Sequence, residues 1–225
     1  MGAVAGEGGV ITIACPFWSP NAASLPFSRH YSEADVRKLY YGVKRNLNVP
    51  FRFVAFVDHY RKLPADIEQE LIEGTPDYGA CMQPFRMNEP MILMGLDTVI
   101  VGNLDCFAAY AIGGGKLATP RDPFHPETVC NGVMIAPAGH AWVWKDKPAG
   151  ENDMEWMRQI WARGDAAVID DLWPGRVVSY KGDVAQNGLS ADTRIVYFHG
   201  EQKPHQLPHV GWIRRHWVDE AERVR

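Results

Sequence analysis

An almost uninterrupted apolar segment, residues 91–102 (MILMGLDTVIVG), constrains the fold of this chain more than any other stretch. Such runs are typical of strands buried on both faces, so we expect the central strand of an α/β domain here. Asp97 is its one charged residue. A buried carboxylate is costly without a partner, and a divalent metal ion at the carboxyl end of the strand is one such partner. Alternatively, Asp97 caps a turn between two short strands.

The segments before this run alternate between strand and helix patterns. Residues 10–15 (VITIAC) and Phe51–Val57 (FRFVAFV) are rich in β-branched and aromatic residues, which predicts strands. Residues 32–46 begin with the Ser-x-x-Asp pattern of a helix N-terminus, and residues 63–72 predict a second helix. The order strand, helix, strand, helix implies a mostly parallel central sheet flanked by helices, with a Rossmann-like half.

Ligands of such sheets bind beyond the carboxyl ends of the strands. Cys15, Asp58 and Asp97 each lie at or just after the end of a predicted strand, so we expect all three on one rim of the sheet. Arg86 lies just before the central strand, within residues 78–88, whose pattern favours neither helix nor strand.

The rest of the chain continues this alternation. Further helices are predicted over residues 103–110 and 153–163, and further strands over residues 116–119, 130–136, 167–169, 176–180 and 194–198. No internal repeat or linker interrupts the order. We therefore expect one domain over residues 10–225, after a flexible N-terminus of residues 1–9.

Length and composition permit one full hydrophobic core and exclude several functional classes. The chain has 225 residues, of which 46% are hydrophobic, and a formal net charge of -4. That charge argues against a general polyanion-binding protein. The four cysteines lack Cys-x-x-Cys spacing, which argues against structural zinc. No apolar run reaches about 18 residues, and the start lacks the basic region of a secretory signal, so we expect a cytoplasmic protein without stable membrane insertion.

A polar segment near the C-terminus follows the last predicted strand. It contains His199 and Gly200, with Lys203 three residues further on. Glycine permits close approach of the backbone to a ligand, and lysine offers a positive charge for a phosphate. This pattern predicts an anion-binding loop, and the alternative is a hairpin whose lysine lies in solvent.

Two further positions carry side chains suited to a polar ligand. Asn131 precedes Gly132 at the start of a predicted strand, where its amide either binds a ligand or forms an Asn-Gly turn. Asp153 stands at the start of a predicted helix, where an acidic residue either caps the helix or contacts a ligand.

Four segments carry a resemblance to a known family. The predicted strand Phe51–Val57 is followed by Asp58, and residues 96–102 (LDTVIVG) look like an Asp-x-Asp metal strand. Residues 131–134 (NGVM) look like an Asn-Ser/Ala-Gly-Val strand. Residues 198–204 (FHGEQKP) look like a C-terminal His…Gly-x-x-Lys-Pro motif. In this order they resemble GT-A-fold glycosyltransferases related to the glycogenin and bacterial galactosyltransferase-like families. The resemblance covers most of the chain.

The resemblance implies transfer of a sugar from a nucleotide-sugar, with a UDP-sugar as the expected donor and retention at the anomeric carbon. It also implies Mn²⁺ or Mg²⁺ bridging the donor diphosphate. Carried over by position, Asp97 and His199 are the metal ligands, while Gly200 and Lys203 contact the diphosphate.

Catalytic roles near the sugar fall, by the same resemblance, to Asn131 and Asp153. The predicted donor-binding set is completed by Cys15, Asp58 and Arg86. The acceptor stays open among a glycan, a protein, a small molecule and a nucleic acid, and so does the oligomeric state.

Two positions depart from the family pattern. Gly95 replaces the first Asp of Asp-x-Asp, so the implied metal site lacks one carboxylate. The family histidine lies six residues before the lysine, a position that is Tyr197 here, whereas His199 lies four before Lys203. A weaker metal requirement, or none, is therefore an open alternative.

Two other functional classes compete with the transferase hypothesis. The missing carboxylate motivates a non-catalytic module that binds nucleotide-sugars or glycans. A nucleotidyltransferase would share a related α/β fold, but its glycine-rich loop after the first strand is absent, since residues 15–18 (CPFW) stand there.

Overall fold

The structure, a computed structural model, describes residues 9–220, so residues 1–8 of the predicted flexible N-terminus lie outside the described part of the chain. The strands are β1 (Ile11–Phe17), β2 (Phe51–Val57), β3 (Ile67–Leu71), β4 (Met91–Met94), β5 (Thr98–Ile100), β6 (Leu117–Thr119), β7 (Val133–Ala136), β8 (Ala166–Val168), β9 (Val177–Ser179) and β10 (Ile195–Tyr197).

The α-helices are α1 (Leu25–Ser28), α2 (Glu33–Asn46), α3 (Asp105–Gly113), α4 (Trp142–Lys145), α5 (Asp153–Ala162), α6 (Ile169–Leu172), α7 (Ala185–Asn187) and α8 (Gly211–His216). Two 3₁₀ helices span Tyr78–Met87 and Pro204–Gln206, and a π-helical turn spans Tyr180–Val184. No helix within residues 9–220 is long and apolar enough to cross a membrane.

Seven strands form a central sheet in the order β3-β2-β1-β4-β7-β6-β8, and β5, β10 and β9 form a second, smaller sheet. The neighbours from β3 to β4 run parallel, as do β6 and β8, whereas β7 is antiparallel to both of its partners. This arrangement confirms the predicted α/β fold with a mostly parallel central sheet. The 3-2-1-4 order of the first four strands, with α2 as the crossover between β1 and β2, is that of a Rossmann-like half.

The two faces of the central sheet pack against different partners because side chains alternate along each strand. On β1, Ile11, Ile13 and Cys15 pack in one cluster with α2, α3 and the small sheet. Ala14 instead packs in a second cluster with the 3₁₀ helix Tyr78–Met87, α4 and α5. The central strands β1 and β4 are thus buried on both faces, which explains their near-continuous apolar sequences.

The apolar run of residues 91–102 forms two strands rather than one. β4 is the central strand of the large sheet, as predicted, but a turn at Gly95, Leu96 and Asp97 ends it. The chain then enters β5, which pairs antiparallel with β10 in the small sheet. The prediction of one continuous strand is wrong because both short strands are buried and equally apolar.

Two other predictions are corrected by strand pairing. The helix predicted over residues 63–72 is wrong, since β3 lies there and pairs along its length with β2; this ladder overrides the helical preference of its Glu and Leu residues. β1 also continues through Pro16 to Phe17. Its ladder to β4 ends at Ala14, so Pro16 lies where only β2 remains as a neighbour.

A close contact between the two sheets gives a test of this packing. Gly132, just before β7, lies against the ring of Tyr197 of β10, and a Cβ atom at residue 132 would lie 2.5 Å from ring atom Cδ2. We expect Gly132→Ala to lower the free energy of unfolding by about 1–3 kcal/mol, because a packed ring must move. Guanidinium unfolding followed by circular dichroism measures it.

Gly113→Ala is the matched control, since a Cβ atom there meets nothing within 4 Å and the residue ends α3. We expect this variant to be unchanged or stabilised by up to about 1 kcal/mol. Equal stability of the two variants would contradict the contact between Gly132 and Tyr197.

Candidate functional site

A cavity of about 790 Å³ opens at the carboxyl ends of β1 and β4. Because β7 runs antiparallel to β4, the residues before β7 reach the same rim, and the segment after β10 closes another side. Of the predicted site residues, the cavity is lined by Asp97, Asn131, Asp153, His199, Gly200 and Lys203. The fold therefore brings together six residues from four segments that are far apart in the sequence.

A buried ion pair lies on the cavity wall. The Nζ atom of Lys203 donates to Oδ2 of Asp97 at 2.6 Å, and the two residues are 3% and 7% exposed. The hydroxyl of Tyr31 donates to the same oxygen at 2.8 Å. Burial and the nearby Asp97 carboxylate raise the pKa of Tyr31 well above its ordinary range, so its hydroxyl keeps the proton that it donates.

The turn that presents Asp97 places its carboxylate so close to Gly95 that a larger residue there would displace it. A Cβ atom there would lie 2.8 Å from Oδ1 of Asp97, because the carboxylate folds back over the glycine. The amide of Phe198 donates to the backbone carbonyl of Asp97 at 3.2 Å, which fixes the turn against the end of β10. The ion pair is thus held from both sheets.

Asp153 and Asn131 form a polar group at another side of the cavity. Asn152 caps α5, since its side chain accepts from the amide of Glu155 at 2.8 Å. The carboxylate of Asp153 is consequently not needed as the cap, and it lies buried on the cavity wall. Burial raises its pKa to about 6, although hydrogen bonds from Cys81, from the amide of Met154 and from Asn131 oppose that shift.

His199 lies at the cavity mouth, with its Nε2 atom 2.7 Å from Oγ of Ser179 on β9. Phe124 packs edge-on against its ring at 5.1 Å, and Lys181 lies over the ring of Phe124. Burial, followed by the charge of Lys181, lowers the pKa of His199, so the imidazole is neutral at pH 7. Gly200 adopts a positive φ of 74°, which turns the chain towards Lys203.

Three predicted donor-binding residues do not line this cavity. Cys15 points to the opposite face of the sheet, into the cluster with α2. Asp58 is bound by the side chain of Arg61 and the amide of Ser19. Burial alone would raise the pKa of Asp58, but these hydrogen bonds outweigh it and lower the pKa. Arg86 donates to the Leu71 carbonyl at 2.7 Å and pairs with Glu73.

Several residues on the cavity wall or in contact with it were not singled out from the sequence. Tyr31 follows a loop of irregular pattern, and only its contact with Asp97 reveals a role. Cys81 lies in a 3₁₀ helix that has no strong sequence signature, and it lines the cavity beside Asp153. Phe124 is 51% exposed in a proline-stiffened loop. An aromatic residue in such a loop is the one sequence signal that could have pointed to a binding role.

A divalent metal, which the resemblance implies, does not fit the side chains gathered here. Within residues 9–220, no three His, Cys, Asp or Glu side chains lie together in an arrangement that could hold an ion. Asp97 is already paired with an ammonium group, and His199 directs Nε2 to Ser179. Hard cations need several oxygen ligands. We therefore derive no chemistry from a metal at this site.

Comparison with known proteins identifies the fold. No model of a known protein family matches the chain, and no curated protein sequence matches it. Among solved structures, the galactosyltransferase LgtC in complex with donor and acceptor sugar analogs gives a TM-score of 0.59 at 9% identity, covering 91% of this chain and 93% of LgtC.

Two other glycosyltransferases are similar. The bifunctional WbbM gives a TM-score of 0.58 at 10% identity, covering 90% of this chain and 48% of WbbM. GlyE from Streptococcus pneumoniae TIGR4 gives 0.54 at 11% identity, covering 87% of this chain and 56% of GlyE. The chain therefore has a GT-A-like glycosyltransferase fold, which confirms the resemblance carried by its sequence motifs.

The buried carboxyl group of Asp153 makes stability depend on pH. Its folded-state pKa of about 6 lies above the ordinary 3.8, so the folded chain keeps a proton that the unfolded chain loses between those values. Stability contributed by this group is therefore lost as pH rises through that window. We expect Asp153→Asn to raise the free energy of unfolding at pH 7.5 by up to about 3 kcal/mol, and by much less below pH 4.

Denaturant unfolding at both pH values measures this difference, with Asp192→Asn in an exposed loop as the control. The control is expected to change little at either pH, since an exposed carboxylate keeps its hydration on folding. A gain for Asp153→Asn that is the same at pH 4 and pH 7.5 would contradict the shifted pKa.

Proposed function

We propose that this chain is a glycosyltransferase that moves a sugar from a nucleotide-sugar donor, with a UDP-sugar as the expected donor, to an acceptor. One observation carries the proposal: Lys203 is buried, yet it lines a cavity at the strand ends of a GT-A-like fold. In open α/β sheets these strand ends are where nucleotide ligands bind. A buried lysine at that place offers a charge to a diphosphate.

In the proposed reaction, the bond between the anomeric carbon and the diphosphate oxygen breaks, and its electron pair leaves with the nucleoside diphosphate. A bond from an acceptor oxygen to the anomeric carbon forms on the face that the diphosphate leaves, and the proton of the acceptor hydroxyl passes to the departing diphosphate oxygen. Negative charge develops on the leaving diphosphate, where a fixed ammonium group stabilises it. Lys203 is the residue that we assign to this role. Gly200 precedes it in a turn where backbone can approach the diphosphate closely.

The sugar of the donor is proposed to lie beside Asp153 and Asn131. Both line the cavity, and both carry groups that bind sugar hydroxyls. The pKa of Asp153, about 6, leaves the carboxyl group partly protonated near neutral pH, so it can accept or donate a hydrogen bond. Retention at the anomeric carbon is the expected stereochemistry, and proton NMR of the first-formed product tests it.

The cavity mouth is proposed to receive the acceptor. Phe124 is half exposed there beside His199, and Phe27 lines another side. Aromatic rings pack well against the apolar faces of sugar rings. This chemistry favours a glycan among the acceptors considered. No glycine-rich loop follows β1, which disfavours a nucleotidyltransferase.

The proposal predicts release of a nucleoside diphosphate from a panel of UDP- and GDP-sugars, with one UDP-sugar preferred. We expect Asp153→Asn to lower kcat/KM by about 10- to 100-fold, because the sugar hydroxyl loses a charged hydrogen-bond acceptor, while UDP affinity changes little. A coupled assay for UDP and calorimetric binding of UDP measure the two effects.

The matched control is Lys44→Met, an exposed lysine at the end of α2 that does not line the cavity. Its kinetics are expected to equal those of the wild-type chain. Binding of UDP-sugars without diphosphate release, even with saccharide acceptors supplied, would contradict catalysis and favour a nucleotide-sugar-binding module.

A further inference from the structure

We infer that the diphosphate of the donor is neutralised here by the ammonium group of Lys203 and not by a divalent cation. The inference rests on the proposed function and specifies how its donor site works. Four features of the site support it: the pairing of Asp97, the lack of space for a second carboxylate at residue 95, the orientation of the His199 imidazole and the hydrogen-bond capacity of Lys203.

Asp97 has little to offer a metal ion. Its Oδ2 atom accepts hydrogen bonds from Lys203 at 2.6 Å and from Tyr31 at 2.8 Å. The Lys203 charge neutralises that of the carboxylate, and a second cation brought within a few ångströms of the ammonium group would be repelled in a poorly hydrated environment. A metal at the other oxygen, Oδ1, would still lie within a few ångströms of the Lys203 ammonium group.

Residue 95, where the family pattern has a second carboxylate, leaves little room for one beside Asp97. A side chain at Gly95 would begin 2.8 Å from Oδ1 of Asp97, so a carboxylate cannot be added there without moving the existing one. The ring of Tyr197 lies flat against Gly132, and its hydroxyl contacts Sγ of Cys130 at 3.5 Å. The atoms that Tyr197 packs against Gly132 are ring carbons, which do not bind cations of this kind.

The imidazole of His199 is turned away from Asp97. His199 places Nε2 at 2.7 Å from Oγ of Ser179, which in turn accepts from the amide of Gly182 at 2.9 Å. The imidazole is therefore held towards β9 and the π-helical turn. It lies at the cavity mouth, with Phe124 packed edge-on against it, rather than in a ligand set with Asp97.

Lys203 has unused hydrogen-bond capacity. An ammonium group has three N–H donors, and within residues 9–220 we find one hydrogen bond from Nζ, to Asp97. Nζ also lies over the ring of Tyr31, 5.5 Å from its centroid, and we assign the two other donors to phosphate oxygens. Because the carboxylate and Tyr31 hold the ammonium group in place, it requires little reorganisation when charge develops on the diphosphate.

Calorimetric titration of the full chain with UDP, first in EDTA and then in Mn²⁺, tests the inference. We expect UDP affinity in the two buffers to agree within about threefold, and release of UDP from the preferred donor to continue in EDTA. Titration with Mn²⁺ alone is expected to give no saturable binding. Affinity that falls more than about tenfold in EDTA and returns with Mn²⁺ would overturn the inference alone. Absence of UDP binding in both buffers would overturn the proposed function as well.

Variants test the lysine directly. In EDTA, Lys203→Met is expected to lower UDP affinity by about 10- to 100-fold, the effect of losing a charged hydrogen bond to phosphate. This change leaves Asp97 buried without its partner, which could destabilise the fold. A double variant, Asp97→Asn with Lys203→Met, removes both charges, and circular dichroism checks that it folds. Lys44→Met is the control. A folded double variant that binds UDP as tightly as the wild-type chain would overturn the role of Lys203.

Discussion

The buried pair of Lys203 and Asp97 is the interaction on which the site depends. Two oppositely charged groups with less than a tenth of their surface exposed must lose their hydration, and they recover that cost only if the pair is close and further hydrogen bonds are made. Both conditions are met, by the 2.6 Å contact and by the hydroxyl of Tyr31. Such a pair adds little net stability. The structural effect of the pair is to hold the Lys203 ammonium group at the cavity wall.

The pair also explains why the chain leaves the central sheet where it does. The turn after β4 contains Gly95 and Asp97, and it sends the chain into the small sheet through β5. The same turn is bound by the amide of Phe198, at the end of β10. Lys203 follows a few residues later, so the ion pair crosses between the two sheets. The cavity therefore lies where two sheets, and not one, meet.

Much of the fold could be predicted from local patterns. The bounds of β2 and the start of α2 match the sequence signals, since the amide of Ser32 donates to the Asp35 carboxylate at 2.8 Å. β3 could not be predicted, because its pairing with β2 and not its own composition decides its state. The break after β4 was hidden because buried strands of two sheets are equally apolar.

Six residues of the cavity wall were named from the sequence, but the contacts between them were not predicted. Asp97 and Lys203 were each named as donor-site residues, yet 106 positions separate them, and only the folded chain shows that they form a pair. Cys15 was assigned to the rim by its position at a strand end, but side chains alternate along a strand, so its neighbour Pro16 lines the cavity instead. The roles assigned to the six residues on the cavity wall stay predictions until they are measured.

The most direct test of the account is a crystal structure of the chain soaked with UDP and MnCl₂, with data collected at the manganese absorption edge. The account predicts the diphosphate in the cavity, with a phosphate oxygen about 3 Å from Nζ of Lys203 and no anomalous peak between Asp97 and the phosphates. A manganese peak coordinated by Asp97 and the diphosphate, with Lys203 displaced from its pair, would contradict it.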